Sequence, residues 1–184
     1  MWMETVNIWY TSDTHFSHES IIKYSGRPFA DAAEMDEVMI DRWNEVVRPQ
    51  DHIWHLGDLT MHRQIGAIQH RVLNRLNGHK RLILGNHDLD KTANYLKWFE
   101  KVKACHVHDR MLFTHIPIHP RSVGRFKAIV HGHIHLQCYD PVLRLVEKEG
   151  KEPVVEAVPY INVCVEQTVY RPISLEEIKL LVTK

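Results

Sequence analysis

The chain has 184 residues, with 23 Lys and Arg against 23 Asp and Glu, so its formal net charge is zero; 44% of residues are hydrophobic and 25% are charged. This is the balance of a globular chain with a packed core, which argues against a disordered or fibrous one and gives no global pull toward nucleic acid or an anionic membrane. The length suits one domain over residues 1–184.

In chain order, Val6–Tyr10 is a short β-prone run that ends on Thr11-Ser12-Asp13 and reads as a first buried strand feeding a loop. Asp31 begins a helix, with Glu34 three residues on in a capping-box-like arrangement. Met35, Val38, Met39, Trp43 and Val46 recur along it at helical spacing, and Arg48-Pro49 closes it. His52–Leu56 is a second strand ending at Gly57-Asp58, and Ile65, Ile68, Val72 and Leu76 mark an amphipathic helix stopped by Asn77-Gly78. Arg81–Leu84 is a third strand ending at Gly85-Asn86-His87-Asp88, followed by a short helix over Tyr95–Phe99. Val102–Val107, Met111–Thr114 and Ala128–His131 read as three further strands. Residues 141–159 form an extra β-hairpin, Val142–Val146 and Val154–Val158, around a charged turn at Glu147–Pro153. Ile161–Val165 is another strand, and Ser174 with Glu177 caps a last helix to about Val182.

Three cysteines, Cys105, Cys138 and Cys164, without C-x-x-C spacing argue against a disulfide framework and a Cys-based zinc site, and fit a reducing cytoplasm. The first residues lack the basic and apolar regions of a signal peptide, and no stretch has the length of a membrane span. Histidine is the outlier of the composition, at 15 residues. Five clusters carry the chemistry: Asp13-x-His15, Gly57-Asp58, Gly85-Asn86-His87-Asp88, His115-x-Pro117 and Gly132-His133-x-His135. Each follows an expected strand, and in α/β sheets ligands sit beyond the carboxyl ends of strands. Imidazole, carboxylate and amide oxygen together suit Zn, Mn, Fe, Co or Ni rather than Ca or Mg. Asp13, His15, Asp58, Asn86, His115, His133 and His135 are too many donors for one tetrahedral ion and enough for two ions that share a carboxylate, the arrangement used for displacement at phosphorus. In an extended segment residues i and i+2 face the same side, which would aim both members of Asp13-x-His15 and of His133-x-His135 at the metal. Taken singly, each motif also has an ordinary reading as a turn or a paired polar group.

This ordered set, spanning Asp13 to His135, resembles the calcineurin-like metallophosphoesterase superfamily; the surroundings of Asp13, the Arg27-Pro28-Phe29 segment, Ile161–Val163 and Tyr170–Ile178 are similar to a compact bacterial and phage branch of it. The resemblance implies an αββα sandwich of two mixed sheets flanked by helices, holding two divalent ions, commonly Mn, with Fe, Zn, Ni or Co as variants. It implies that Asp13, His15 and His135 bind the first ion, that Asn86, His115 and His133 bind the second, and that Asp58 bridges them. It also implies that His87 is the general acid toward the leaving group, oriented by Asp88. The activity implied is hydrolysis of a small phosphorylated substrate, a monoester or a nucleotide-type diester, by in-line attack of water on phosphorus. A nuclease acting on nucleic-acid ends and a non-catalytic interaction scaffold are the rival readings. His18, Arg27, Arg121 and Arg125 are candidate substrate contacts, the last two in a basic loop, with His119 and Lys127, between the fourth and fifth motifs. His55 reads as a core or supporting group, and His52, His62, His70, His79, His106 and His108 carry no motif.

Overall fold

A computed structural model describes residues 5–146 and 152–182. The strands are β1 (Ile8–Thr11), β2 (His52–His55), β3 (His79–Ile83), β4 (Lys101–Lys103), β5 (Cys105–His108), β6 (Met111–Thr114), β7 (Ala128–His131), β8 (Val142–Val146), β9 (Val154–Val158), β10 (Tyr160–Asn162) and β11 (Ile173–Ser174). The helices are α1 (Glu19–Tyr24), α2 (Ala32–Val46), α3 (Thr92–Tyr95) and α4 (Leu175–Val182). Two mixed sheets result. One has the order β11-β1-β2-β3-β4, parallel except for β11; the other has the order β10-β7-β6-β5, parallel except for β5. The expected hairpin forms as β8 against β9, Val142 opposite Val158, while most of its turn, residues 147–151, lies outside the described residues.

Alternation along the strands sorts the cores. Tyr10, Trp54 and Ile83 point to one face of the first sheet and meet Met111, Phe113 and Val130 of the second, with the Tyr10 and Phe113 rings stacked at 4.3 Å. Ile53 and Leu82 point to the opposite face, where Met35, Met39, Ile40 and Trp43 of α2 cover them. Helix α2 begins where Asp31 accepts a hydrogen bond from the Glu34 amide, while the Glu34 carboxylate accepts from the Ala30 amide. The outer face of the second sheet, expected to carry helices, instead meets Val123, Ile118 and Phe126 of the loop after β6 and Val142 and Val158 of the hairpin. Helix α4 buries Leu175 and Ile178 in the core between the sheets. No described helix is long and apolar enough to cross a membrane.

Four expectations change. The short helix expected over Tyr95–Phe99 lies earlier, at Thr92–Tyr95, and residues 96–98 form a turn after it. The helix expected through Ile65–Leu76 is a 3-10 turn, Ile65–Ile68, running into a π turn, Gln69–Leu73; its apolar residues are buried as expected although the backbone is not α-helical. The strand expected over Val102–Val107 is broken at Ala104, because β4 pairs with β3 in one sheet and β5 with β6 in the other. The strand expected to run to Val165 stops at Asn162, whose side chain accepts from the Cys164 amide, and a 3-10 turn, Val165–Gln167, follows.

Candidate metal centre

The five motifs leave the carboxyl ends of five parallel strands, β1, β2 and β3 in one sheet and β6 and β7 in the other. The sheets face each other, so these ends converge. Loop-to-loop hydrogen bonds fix the convergence: the Asp13 amide donates to the Gly57 carbonyl at 2.9 Å, the Gly132 amide to His115 at 2.9 Å and the Val165 amide to Ser12 at 3.1 Å.

The ligand-bearing backbone is not extended. Asp13, His15, Asp58, His133 and His135 have φ of 57°, 49°, 57°, 74° and 49°, in the left-handed region. The side chains of each i, i+2 pair are therefore aimed by tight turns, not by the pleat of a strand. Asp and His tolerate this region better than most side chains, and such conformations cost on the order of 1–3 kcal/mol each and concentrate at functional sites. Close approach is enforced at two glycines. A Cβ at Gly85 would strike the Asp58 carboxylate, and one at Gly132 would strike the Ser12 and Asp13 side chains.

Asp13 divides its two oxygens. Oδ2 accepts from Ser12 Oγ at 2.5 Å, the His133 amide at 2.8 Å and Cys164 Sγ at 3.2 Å. Oδ1 is buried without a hydrogen-bond partner among the described residues, and so are both ring nitrogens of His15. Oδ1 faces His15 Nε2 at 3.9 Å and His135 Nε2 at 3.8 Å. Burial drives the His15 ring down to about 2, against the pull of Asp58 and with Arg27, His135 and His87 adding to it, so the ring is neutral and presents a lone pair.

The second group lies across Asp58. Its Oδ2 is 3.8 Å from His15 Nε2 and 3.4 Å from His115 Nε2, which places it between the two sets, and its Oδ1 accepts from the His87 amide at 2.8 Å. Burial opposes ionisation of Asp58, but the His115 hydrogen bond and charge, the His87 amide and His15 outweigh it and bring the carboxyl down to about 2. His115 donates Nδ1–H to the Leu56 carbonyl at 2.9 Å; burial pulls its proton affinity down but the Asp58 hydrogen bond and the Asp13 and Asp58 charges raise it, so Nε2 either carries a proton toward Asp58 or, in the neutral ring, presents a lone pair. That nitrogen faces Asn86 Oδ1 at 2.9 Å, so lone pair meets lone pair unless a cation or a proton lies between them. The His133 ring completes this group, with its centroid 5.1 Å from that of His115. Asp13, His15 and His135 on one side, and Asp58, His115 and His133 on the other, each bring their donor atoms within 4.8 Å of one another. The orphaned Asp13 and His15 atoms of the first group, and the His115 and Asn86 acceptors facing each other beside the second, fit a bound cation.

Supporting contacts correct several expectations. Asp88 does not reach the His87 ring. Its Oδ2 accepts from the Asp58 and Gly85 amides at 2.9 and 2.8 Å and its Oδ1 from the Leu59 amide at 3.1 Å, so it clamps the second motif to the third. His87 is partly exposed, 3.9 Å from Asp58 Oδ2, and its ring meets that of His15 edge-on at 5.6 Å. Arg27, expected at the substrate, is turned inward instead. Its buried guanidinium donates to the carbonyls of Asp13 and Thr14 at 2.7 and 2.8 Å and to Glu166 at 2.8 and 2.9 Å. Glu166, which carries no motif in the sequence, accepts from His135 Nδ1 at 2.9 Å and thereby fixes which ring nitrogen faces Asp13. Burial pulls the His135 ring down, but the hydrogen bond and charge of Glu166 outweigh it and raise its affinity for a proton.

His18 lies beside the centre, its ring 5.8 Å from that of His15. Arg121 and Arg125 are exposed on the 115–127 loop, and no contact among the described residues joins either side chain to the centre. His55 is buried, as expected: it accepts from the Gly57 amide and bonds to Thr14 Oγ1, which in turn donates to the Leu59 carbonyl. At the opposite end of the first sheet, His52, His79 and Glu100 form a third group with metal-type donors, but the Arg81 guanidinium sits among them, 3.1 Å from His52 Nδ1 and 3.6 Å from Glu100.

No family model matches the chain. The uncharacterized protein MJ1445 of Methanocaldococcus jannaschii is 33% identical over 183 residues, which are 99% of this chain and 94% of that protein. The gene 66 protein of Mycobacterium phage L5 is 39% identical over 85 residues, 45% of this chain and 40% of that protein. Among solved structures, the crystal structure of AQ665, a protein of unknown function from Aquifex aeolicus, aligns with a TM-score of 0.66 and 27% identity over 96% of this chain and 100% of that one.

Proposed function

This chain belongs to the same family as the uncharacterized protein MJ1445, and within that family we propose that it is a phosphoester hydrolase with two divalent ions, on a calcineurin-like metallophosphoesterase fold. The observation that carries the reading is the pair of donor groups meeting at Asp58 Oδ2, backed by the orphaned Asp13 Oδ1 and His15 nitrogens. Asp13, His15 and His135 would hold one ion, Asn86, His115 and His133 the other, and Asp58 both; manganese is the first metal to test. Ions held there supply Lewis acidity toward the phosphoryl oxygens and toward an attacking water.

The protein's own residues do the rest. The Leu56 carbonyl and the Glu166 carboxylate each accept a hydrogen bond from the Nδ1–H of one imidazole, so His115 and His135 face inward with Nε2. The left-handed turns and the Asp88 clamp hold the donors before any ion arrives, which removes reorganisation from the reaction. His87 stands at the open side with its ring partly in solvent, where it can protonate a departing alkoxide, a contribution of typically ~10²–10⁴-fold. A panel of Mn, Fe, Co, Ni and Zn with p-nitrophenyl phosphate and bis(p-nitrophenyl) phosphate tests the reading. Metal-dependent release of nitrophenol is expected; silence with every metal on both esters would sink it.

A further inference from the structure

Two cavities flank the centre on either side of α1. One, of about 320 Å³, is bounded by His15, His18, Met61 and His87. The other, of about 620 Å³, is bounded by His133, Ile134, Leu136 and Gln137. Ile21, Tyr24 and His135 line both, so the Ile21–Tyr24 edge of α1 is a ridge between two grooves that meet at a ligand of the first ion. Tyr24 is 81% exposed and Leu136 61%, which leaves large apolar surface uncovered beside a polar centre. A third cavity opens on the far side, at Asn86 and His115. None of the described residues lining these three cavities is Lys or Arg. Arg27, packed against the centre, has its guanidinium committed to Glu166 and to two carbonyls.

A phosphomonoester carries close to two charges near neutral pH, and charged donors such as Arg commonly share in gripping such a group. A nucleic-acid strand needs a run of cationic contacts along its backbone. A small diester has one charge and two organic groups to bury. Resting on the reading of the centre as a phosphoester hydrolase, the geometry points to a small phosphodiester as the substrate, its two organic groups lying in the grooves on either side of the Tyr24 ridge and an aromatic group packing on the Tyr24 ring. The leaving group lies in the groove that contains His87. Water forms the new P–O bond, the P–O bond to the group beside His87 breaks, and His87 gives its proton to the departing oxygen. One proton of the water passes to solvent or back to His87, and the products are an alcohol and a phosphomonoester.

The test uses full-length protein with Mn and three esters sharing one chromophoric leaving group: bis(p-nitrophenyl) phosphate, methyl p-nitrophenyl phosphate and p-nitrophenyl phosphate. The expected result is a kcat/KM for the bis-aryl diester at least about ten-fold above that for the monoester. Tyr24→Ala should lower the ratio of bis-aryl to methyl-aryl kcat/KM by roughly three- to ten-fold, a comparison in which the intrinsic reactivities of the two esters cancel. A preference for the monoester, or a ratio unmoved by Tyr24→Ala, overturns the diester assignment and leaves the hydrolase reading standing. Turnover of none of the three with any metal removes that reading as well.

Discussion

Two imidazoles of the centre are fixed by different partners, His115 by a backbone carbonyl and His135 by the Glu166 carboxylate, and the second kind of support is open to mutation. Glu166→Gln keeps the shape and removes the charge that faces His135 and Arg27; manganese affinity measured by calorimetry should fall about 10–100-fold. His87→Ala should retain the metal content of the parent protein while losing roughly 10²–10⁴-fold in turnover of alkyl esters, with much less effect on nitrophenyl esters, whose leaving group needs little protonation. Equal losses on both ester types would take His87 out of the proton transfer. The residues of the two donor groups were legible in the sequence because each sits in a short motif after a strand. Glu166 was not, since a lone Glu in a Val-Glu-Gln turn has no spacing partner, and its role exists only because that turn returns to β1 through the Ser12–Cys164 bridge. Arg27 was visible as a charge, but the sequence does not show the buried Glu166 that it pairs with.

At the scale of elements, turns matter more than the strands that lead to them. Gly132→Ala would push a methyl group into Ser12 and Asp13, so the expectation is a stability loss of about 1–3 kcal/mol, read from urea unfolding, with weakened metal binding alongside it. Asp51, between α2 and β2, ties the turn after α2 to the start of β1: it accepts from the Asn7 amide, the Trp9 indole and the Arg48 amide and guanidinium. Burial opposes its ionisation, but these donors, Arg48 foremost, hold the carboxyl down to about 2. Because the folded state binds this proton more weakly than the unfolded chain, whose Asp titrates near 3.9, the contribution is complete above about pH 5 and fades as the pH falls through 2. Asp51→Asn should therefore cost roughly 2 kcal/mol at pH 7 and flatten the acid limb of the stability curve between about pH 5 and 2; an unchanged acid limb would assign that limb to other groups. Most strand positions were readable from apolar runs. The break at Ala104 was not, because the β-prone residues on both sides give no sign that they join different sheets.

Over the whole molecule, the centre draws donors from both sheets, so an ion held there crosslinks them. Saturating manganese, at about 100 times its Kd, should add about 2.7 kcal/mol and raise Tm by roughly 5–10 °C over protein in EDTA, as read by differential scanning calorimetry. A Tm indifferent to chelator would mean that the lone pairs of Asp13 and His15 are satisfied without metal. The α/β class was legible from the order of strands and turns, and the two sheets only through the resemblance of the motifs, whereas the hairpin and loop covering the second sheet were not, since an apolar hairpin in sequence does not say which surface it will cover. The Arg27–Glu166 pair, 139 residues apart, carries one more consequence, for synthesis. Arg27 leaves the ribosome long before its partner, and until Glu166 follows, a guanidinium destined for full burial has no counter-ion and His135 has nothing to select its tautomer. The Asp13, His15 and His135 donor group is thus among the last features of the fold that a nascent chain can complete, and any metal loading is expected to follow translation rather than guide it.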